Sequence, residues 1–241
     1  MRRGIRSRRA YASAVLPPGS TCGAAASLLH VPTTELSTTL VVLDLVGIFV
    51  FAVTGALVAV RKHLDLFAAL VLAGVTGLGG GFVRDVLIDA TPPAALADWR
   101  YLLVPVAAGL LTFVFHPTVG RLERVVTLFD AFGLAVFCVT GALKAVDYGL
   151  GPLPAALLGM VTGIGGGILR DVLAGRVPVI FEGVLYATPA LAGAAVAVLL
   201  DRTDLPLAVV AASGFSVCLG WRLLATVRGW RAPMPKGPAN V

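Results

Sequence analysis

Asp44-Leu-Val-Gly-Ile-Phe-Val-Phe-Ala-Val-Thr-Gly-Ala-Leu57 returns as Asp130-Ala-Phe-Gly-Leu-Ala-Val-Phe-Cys-Val-Thr-Gly-Ala-Leu143, with nine of fourteen positions identical. Val75-Thr-Gly-Leu-Gly-Gly-Gly-Phe-Val-Arg-Asp-Val-Leu87 returns as Val161-Thr-Gly-Ile-Gly-Gly-Gly-Ile-Leu-Arg-Asp-Val-Leu173. From 44 to 130 and from 75 to 161 the offset is 86 in both, a register that chance similarity between apolar strings does not keep. The chain carries an internal duplication, the signal to be read before any motif.

The blocks around these matches are long and apolar. Hydrophobic residues make up 58% of the 241 residues and charged residues 13%, against about 25% charged in a soluble domain; the mean hydropathy is +0.92. A bilayer core needs roughly 20 apolar residues per helix, and runs of this kind fall at 39–60, 66–89, 101–116, 125–146, 152–174, 184–200 and 205–225. The fold class is therefore all-α integral membrane: seven transmembrane helices, made of two three-helix repeats at 36–119 and 120–202 and a seventh helix at 203–227. Three crossings per copy bring the second copy into the membrane from the opposite side, so the repeats are inverted about an axis in the membrane plane.

Five arginines among the first nine residues precede a Pro/Gly/Ser/Ala-rich stretch without the apolar run of a secretory signal. Residues 1–35 read as a disordered basic extension and 228–241 as a cytoplasmic tail. The net charge of +6 belongs to short gaps between spans, as loop charge that sets topology, and not to a nucleic-acid surface. With the N-terminus outside, the inner side holds Arg61, Lys62, Arg121, Arg124, Arg176, Arg222, Arg228, Arg231 and Lys236, against Arg100, Lys144 and Arg202 outside. The first span accordingly starts outside and the C-terminus is cytoplasmic. Cys22, Cys138 and Cys218 are too scattered for a disulfide framework and read as packing residues. His30, His63 and His116 form no ligand-spaced set, so neither a metal site nor a cofactor is expected.

Chemistry concentrates in the repeated motifs. Gly77, Gly79, Gly80 and Gly81, with Gly163, Gly165, Gly166 and Gly167, fall mid-span in the second and fifth helices. Each glycine costs up to about 1 kcal/mol in a helix interior, so the runs are expected to unwind or kink their helices. Such breaks occur only where protein or a water-filled cavity satisfies the backbone, and the two half-helix ends would then face a solute near the midplane. The alternative is a close helix seam, since Gly77/Gly81 and Gly163/Gly167 also have small-residue packing spacing; four glycines exceed what a seam requires. No strand precedes the runs and no Walker lysine follows, which removes a nucleotide loop.

Arg84-Asp85 and Arg170-Asp171 follow the glycines, and Asp44 and Asp130 stand in the first and fourth spans. An unpaired charge at helix centre costs about 2.5–3.5 kcal/mol on insertion scales, so these residues must be paired or hydrated. Neighbours on a helix point about 100° apart, so Arg84 and Asp85, like Arg170 and Asp171, are expected to find other partners, with Asp44 and Asp130 as the candidates. The set is a structural lock between repeats or also a lining of the path. Thr54 and Thr140 sit mid-span and face either a solute or their own i−4 carbonyl, the commoner fate. Lys144, where the first repeat has Val58, is either a pathway charge or a lysine reaching for headgroups.

The paired Gly-Gly-Gly-x-x-Arg-Asp motifs, each preceded by an Asp-x-x-Gly…Thr-Gly-Ala span, resemble the bacterial inner-membrane family with paired glycine-transporter domains, related to the trimeric intracellular cation (TRIC) channels. The resemblance covers about residues 40 to 225. It implies a seven-helix fold, a homotrimer, and a separate permeation path in each protomer lined by the glycine-rich segments. Lys144-Ala145-Val146 lacks the acid of the Lys-Glu-Val signature of animal relatives, so lipid gating is not carried over. The function expected is passage of a small solute, a monovalent cation such as K⁺ or, alternatively, glycine or another small neutral amino acid, by a non-enzymatic protein whose other partner is membrane lipid.

Overall fold

The computed structural model describes residues 38–116 and 122–233. The expected N-terminal extension, residues 117–121 and the end of the tail lie outside the described residues. The elements are α1 Thr38–Arg61, α2 Leu66–Leu87, a short α3 Ala94–Ala97, α4 Trp99–Phe115, α5 Leu122–Asp147, α6 Pro152–Leu173, a 3-10 turn Val179–Phe181, α7 Ala187–Leu200 and α8 Leu207–Arg228. Five of them (α1, α2, α5, α6 and α8) are long and apolar enough to cross a membrane; at 1.5 Å per residue they measure about 33–39 Å, against about 30 Å of hydrocarbon. The α4 and α7 helices are apolar but shorter, at 17 and 14 residues. The sixth expected run begins at Ala187 rather than 184, because Val184–Tyr186 belong to a loop.

Local chemistry sets the helix ends. Asp65 caps α2 by accepting from Ala68 N at 2.8 Å, and Asp98 caps α4 by accepting from Arg100 N at 3.0 Å. Proline opens α6, where its missing N–H costs nothing. The duplication reappears in the C-terminal caps. The α1 and α5 helices close on His63 (φ 56°) and Gly149 (φ 86°), and α2 and α6 on Asp89 (φ 55°) and Gly175 (φ 64°). In each the next N–H reaches back five residues, as from Leu64 to Ala59 O and from Leu150 to Ala145 O, both at 3.0 Å.

The centre is built from α1, α2, α5 and α6, with α4 packed on α1 and α2, and α7 and α8 packed on α5. Phe51 and Phe137, equivalent in the two copies, have ring centroids 5.3 Å apart, and each lies against a glycine of the other copy, Gly133 and Gly47. Large apolar side chains point outward, among them Phe67, Trp99 and Phe115 at 71–78% exposure, while the charged residues of the motifs are buried. A surface apolar outside and charged inside suits hydrocarbon, not water.

The expected helix breaks do not occur. Helix α2 runs through Gly77–Gly81 and α6 through Gly163–Gly167 without interruption. Four glycines forfeit about 4 kcal/mol of propensity, whereas opening one turn leaves several backbone groups unpaired at several kcal/mol each in hydrocarbon, so continuity wins. The glycines serve a close crossing: a β-carbon on Gly80 would strike the Thr162 carbonyl oxygen, and one on Gly166 the Thr76 carbonyl oxygen. Thr76 and Thr162 donate their hydroxyls to Leu72 O and Leu158 O, at 2.5 and 2.7 Å, and so present no free donor at this seam.

Candidate functional site

Arg84, near the end of α2, forks onto Asp44 of α1, one of the two carboxylates the sequence offers as candidates, with Nη1 to Oδ1 at 3.3 Å and Nη2 to Oδ2 at 3.1 Å. It also folds back onto its neighbour, with Nε to Asp85 Oδ1 at 2.8 Å. The 100° argument fails here because the guanidinium stem is long enough to turn back around the helix while Asp85 swings toward the following loop, where its Oδ2 accepts from Ala94 N at 3.0 Å. Lys144 of α5 does not reach for headgroups. It is 2% exposed, and its Nζ donates to Asp85 Oδ1 at 2.7 Å. The first cluster thus holds two carboxylates and two cations.

The second cluster repeats the plan. Arg170 Nη1 donates to Asp130 Oδ1 at 2.8 Å and Nε to Asp171 Oδ1 at 2.9 Å. Asp171 Oδ2 accepts from Val179 N at 3.1 Å, as Asp85 accepts from Ala94. The second cation is Arg176, bonded through Nε and Nη2 to Asp171 Oδ1. It comes from the loop after α6, whereas Lys144 comes from the opposite copy, and its side chain is 30% exposed against 3% for Lys144. Both clusters are electroneutral, which is how charges persist in hydrocarbon.

The threonines divide the two ends. Thr54 does not bond its i−4 carbonyl. It donates to Phe51 O at 2.7 Å and accepts from Arg170 Nη1 at 3.0 Å, tying α1 to α6. Its counterpart Thr140 is buried with an unpartnered hydroxyl, while both Nη atoms of Arg84 lie on Asp44.

A cavity of about 390 Å³ opens onto the second cluster, with Asp130, Arg170 and Arg176 at its floor and Arg61, Glu123 and Glu182 in its walls. At the first cluster the free space shrinks to about 10 Å³, closed by Ala94, Ala95 and Tyr101 against Asp44 and Arg84. The cavity at the second cluster is an open vestibule and the space at the first is nearly closed, with the α2–α6 glycine crossing between them.

A family model described as Glycine transporter matches this architecture twice, at residues 41–117 and 127–202. The chain belongs to that family. As a glycine-transporter-family chain it resembles the UPF0126 inner membrane protein YadS of Escherichia coli, at 40% identity over 80% of this chain and 93% of that protein. It is 50% identical to the UPF0126 membrane protein SCO4104 of Streptomyces coelicolor, over 81% and 90% of the two chains. Among solved structures, the TRIC trimeric intracellular cation channel orthologue from Rhodobacter sphaeroides aligns with a TM-score of 0.77 at 40% identity, covering 80% of this chain and all of that one. A second TRIC cation channel structure, described in terms of the basis for conductance, aligns with a TM-score of 0.74 at 34% identity, over 82% and 98%. The chain is an all-helical membrane protein of the TRIC channel fold.

Sequence reading missed four members of the candidate site. In the sequence Arg176 reads as loop charge. Tyr101 and Tyr186, both buried, stand beside Asp44 and Asp130 at the start of the third apolar helix of each copy. Arg222, also counted as a topology charge, is 3% exposed in α8, lines the vestibule and lies 4.9 Å over the Tyr186 ring. A signal existed for Arg222, since a charge inside an apolar span is a site candidate by default. The tyrosines could have been found only as a near-match at an offset of 85 rather than 86, hidden by one residue of loop slippage.

Proposed function

We propose that this protein conducts a monovalent cation such as K⁺ through a path within each protomer, bounded by α1, α2, α5 and α6, with no enzymatic step. The observation that carries this reading is a pair of electroneutral ion clusters, one beneath an open vestibule, joined by a glycine seam. The likeness to TRIC cation channels supports it. In the path proposed, Asp44 and Asp130 attract the cation, Thr54 and Thr140 offer hydroxyl oxygens, and Gly77–Gly81 with Gly163–Gly167 form the constriction where the helices touch, in place of the half-helix ends expected from sequence. Passage requires the α2–α6 seam to part.

The same reading takes seven helices as spans, α4 and α7 completing two inverted three-helix repeats at 36–119 and 120–202, with α8 outside them. Lys144 near the end of α5 meets Asp85 near the end of α2, and Arg61 at the end of α1 meets Glu123 at the start of α5 at 3.7 Å, contacts that antiparallel α1 and α5 would make. We place the N-terminus outside, residues 228–241 in the cytoplasm of a bacterial inner membrane, and three copies per assembly, as the trimeric description of the Rhodobacter protein suggests.

A second reading, carriage of glycine or another small neutral amino acid, is favoured by one observation, the open vestibule opposite a sealed mouth, which is the arrangement alternating access requires. Purified protein in liposomes separates the two. A voltage-driven K⁺ flux with unitary conductance steps establishes the channel, whereas saturable glycine uptake without such steps overturns it.

A further inference from the structure

The two mouths differ although the chain is duplicated, and the element outside the duplication sits at the open one. Helix α8 ends on Gly229 in the left-handed conformation (φ 64°), with Trp230 N bonded back to Ala225 O at 2.9 Å, and this turn directs the chain back along the protein. Arg231 then pairs antiparallel with Val184, and Ala232 N donates to Gly183 O at 2.7 Å. One helical stretch earlier, Arg222 Nη1 donates to Leu185 O at 3.0 Å and its guanidinium covers the Tyr186 ring. Three consecutive loop residues, 183 to 185, are thereby held by α8 and the chain after it. This loop contributes Val179, Glu182 and Val184 to the vestibule wall.

The equivalent loop after α2 is anchored in the same way at its base, by Ala94 N on Asp85, but among the described residues it carries no such strap. There Ala94 and Ala95 lie against the ion pair and leave about 10 Å³ of free space. We propose that α8 and residues 229–232 form a strap that holds the α6–α7 loop away from the Arg170–Asp130 pair and keeps this mouth open, with Arg222 as its positioning residue. The proposal rests on reading the vestibule as part of the transport path.

The test uses the full chain in liposomes, with Cys22→Ser to remove background and Thr127→Cys as a reporter in the vestibule wall. Ala232→Pro deletes the N–H that binds Gly183 O while leaving Arg231 its extended conformation; Ala232→Gly keeps the donor and is the control. A chain ending at Trp230 removes the strap a second way. Loss of the strap is expected to slow labelling of Thr127→Cys by a water-soluble thiol reagent by about five- to tenfold, the shift in local opening that one backbone hydrogen bond supports, and to lower K⁺ flux in parallel. In the Ala232→Pro protein an added Val184→Cys/Arg231→Cys disulfide, whose positions face one another at a spacing that a bridge accepts, restores both when oxidised and not when reduced, with Thr127→Cys labelling read on its own peptide by mass spectrometry so that the freed thiols are not counted. Unchanged labelling in both strapless proteins, or slowed labelling that the oxidised disulfide does not restore, overturns the strap. Slowed and restored labelling in a protein that passes no K⁺ supports the strap and overturns the channel reading instead.

Discussion

At the scale of single residues, the two clusters are alike in plan and unequal in cost of damage. Asp85 is shared by the buried Arg84 and Lys144 and by the N–H of the half-buried Ala94. Lys144→Met leaves that cluster with a net negative charge in a dry site and is expected to destabilise the folded protein by about 3–5 kcal/mol. The double variant Lys144→Met/Asp85→Asn restores neutrality and should recover much of the loss; denaturant titration in detergent across this cycle measures it, and additive losses would show that the pair is not coupled. Arg176→Ala at the second cluster should cost only about 1 kcal/mol, since Asp171 keeps Arg170 and Val179 N and the site is open to the vestibule. Arg84→Ala and Arg170→Ala should both impair flux per folded protein. If stability falls while flux per folded protein stays normal, the clusters act as locks alone.

At the scale of elements, glycine has opposite meanings along one helix. Gly74 of α2 has open space where a β-carbon would stand, whereas Gly80 has the Thr162 carbonyl there. Gly74→Ala is therefore expected to stabilise by about 0.5–1 kcal/mol through helix propensity, and Gly80→Ala or Gly166→Ala to disrupt folding or assembly, read by thermal unfolding and by chromatography. Wild-type assembly in both seam variants would mean the crossing is looser than the geometry described. Helix ends offer a second contrast. His63 holds the left-handed position that Gly149 fills in the other copy, at a cost of about 1–2 kcal/mol for a residue with a β-carbon. His63→Gly should raise the unfolding midpoint; a fall would show that the imidazole contributes something the backbone argument omits.

At the scale of the whole molecule, duplication provides two similar half-sites, and the unduplicated α8 makes them unequal. In the resting protein a water-soluble thiol reagent should modify Thr127→Cys in the open vestibule much faster than Ala95→Cys at the sealed mouth. Under a driving gradient that opens the path the two rates should converge, and equal rates at rest would remove the asymmetry on which both transport readings depend. The helical membrane class, the approximate place of each apolar helix, the duplication and the candidacy of Asp44 and Asp130 as partners for the motif charges were legible in the sequence, because length, apolarity and repeated register are properties of the chain itself. The state of the glycine segments was not, since propensity favours a break and only the cost of unpaired backbone in hydrocarbon, together with a carbonyl waiting opposite Gly80, decides for a continuous helix. The partners of Asp85 and Asp171, the burial of Lys144 and Arg222, and the opening of one mouth against the closure of the other likewise came from tertiary structure alone. Each depends on which loop lies across which helix end, and that is fixed by contacts between residues far apart in the chain, where the periodicity and composition of a local segment carry no information.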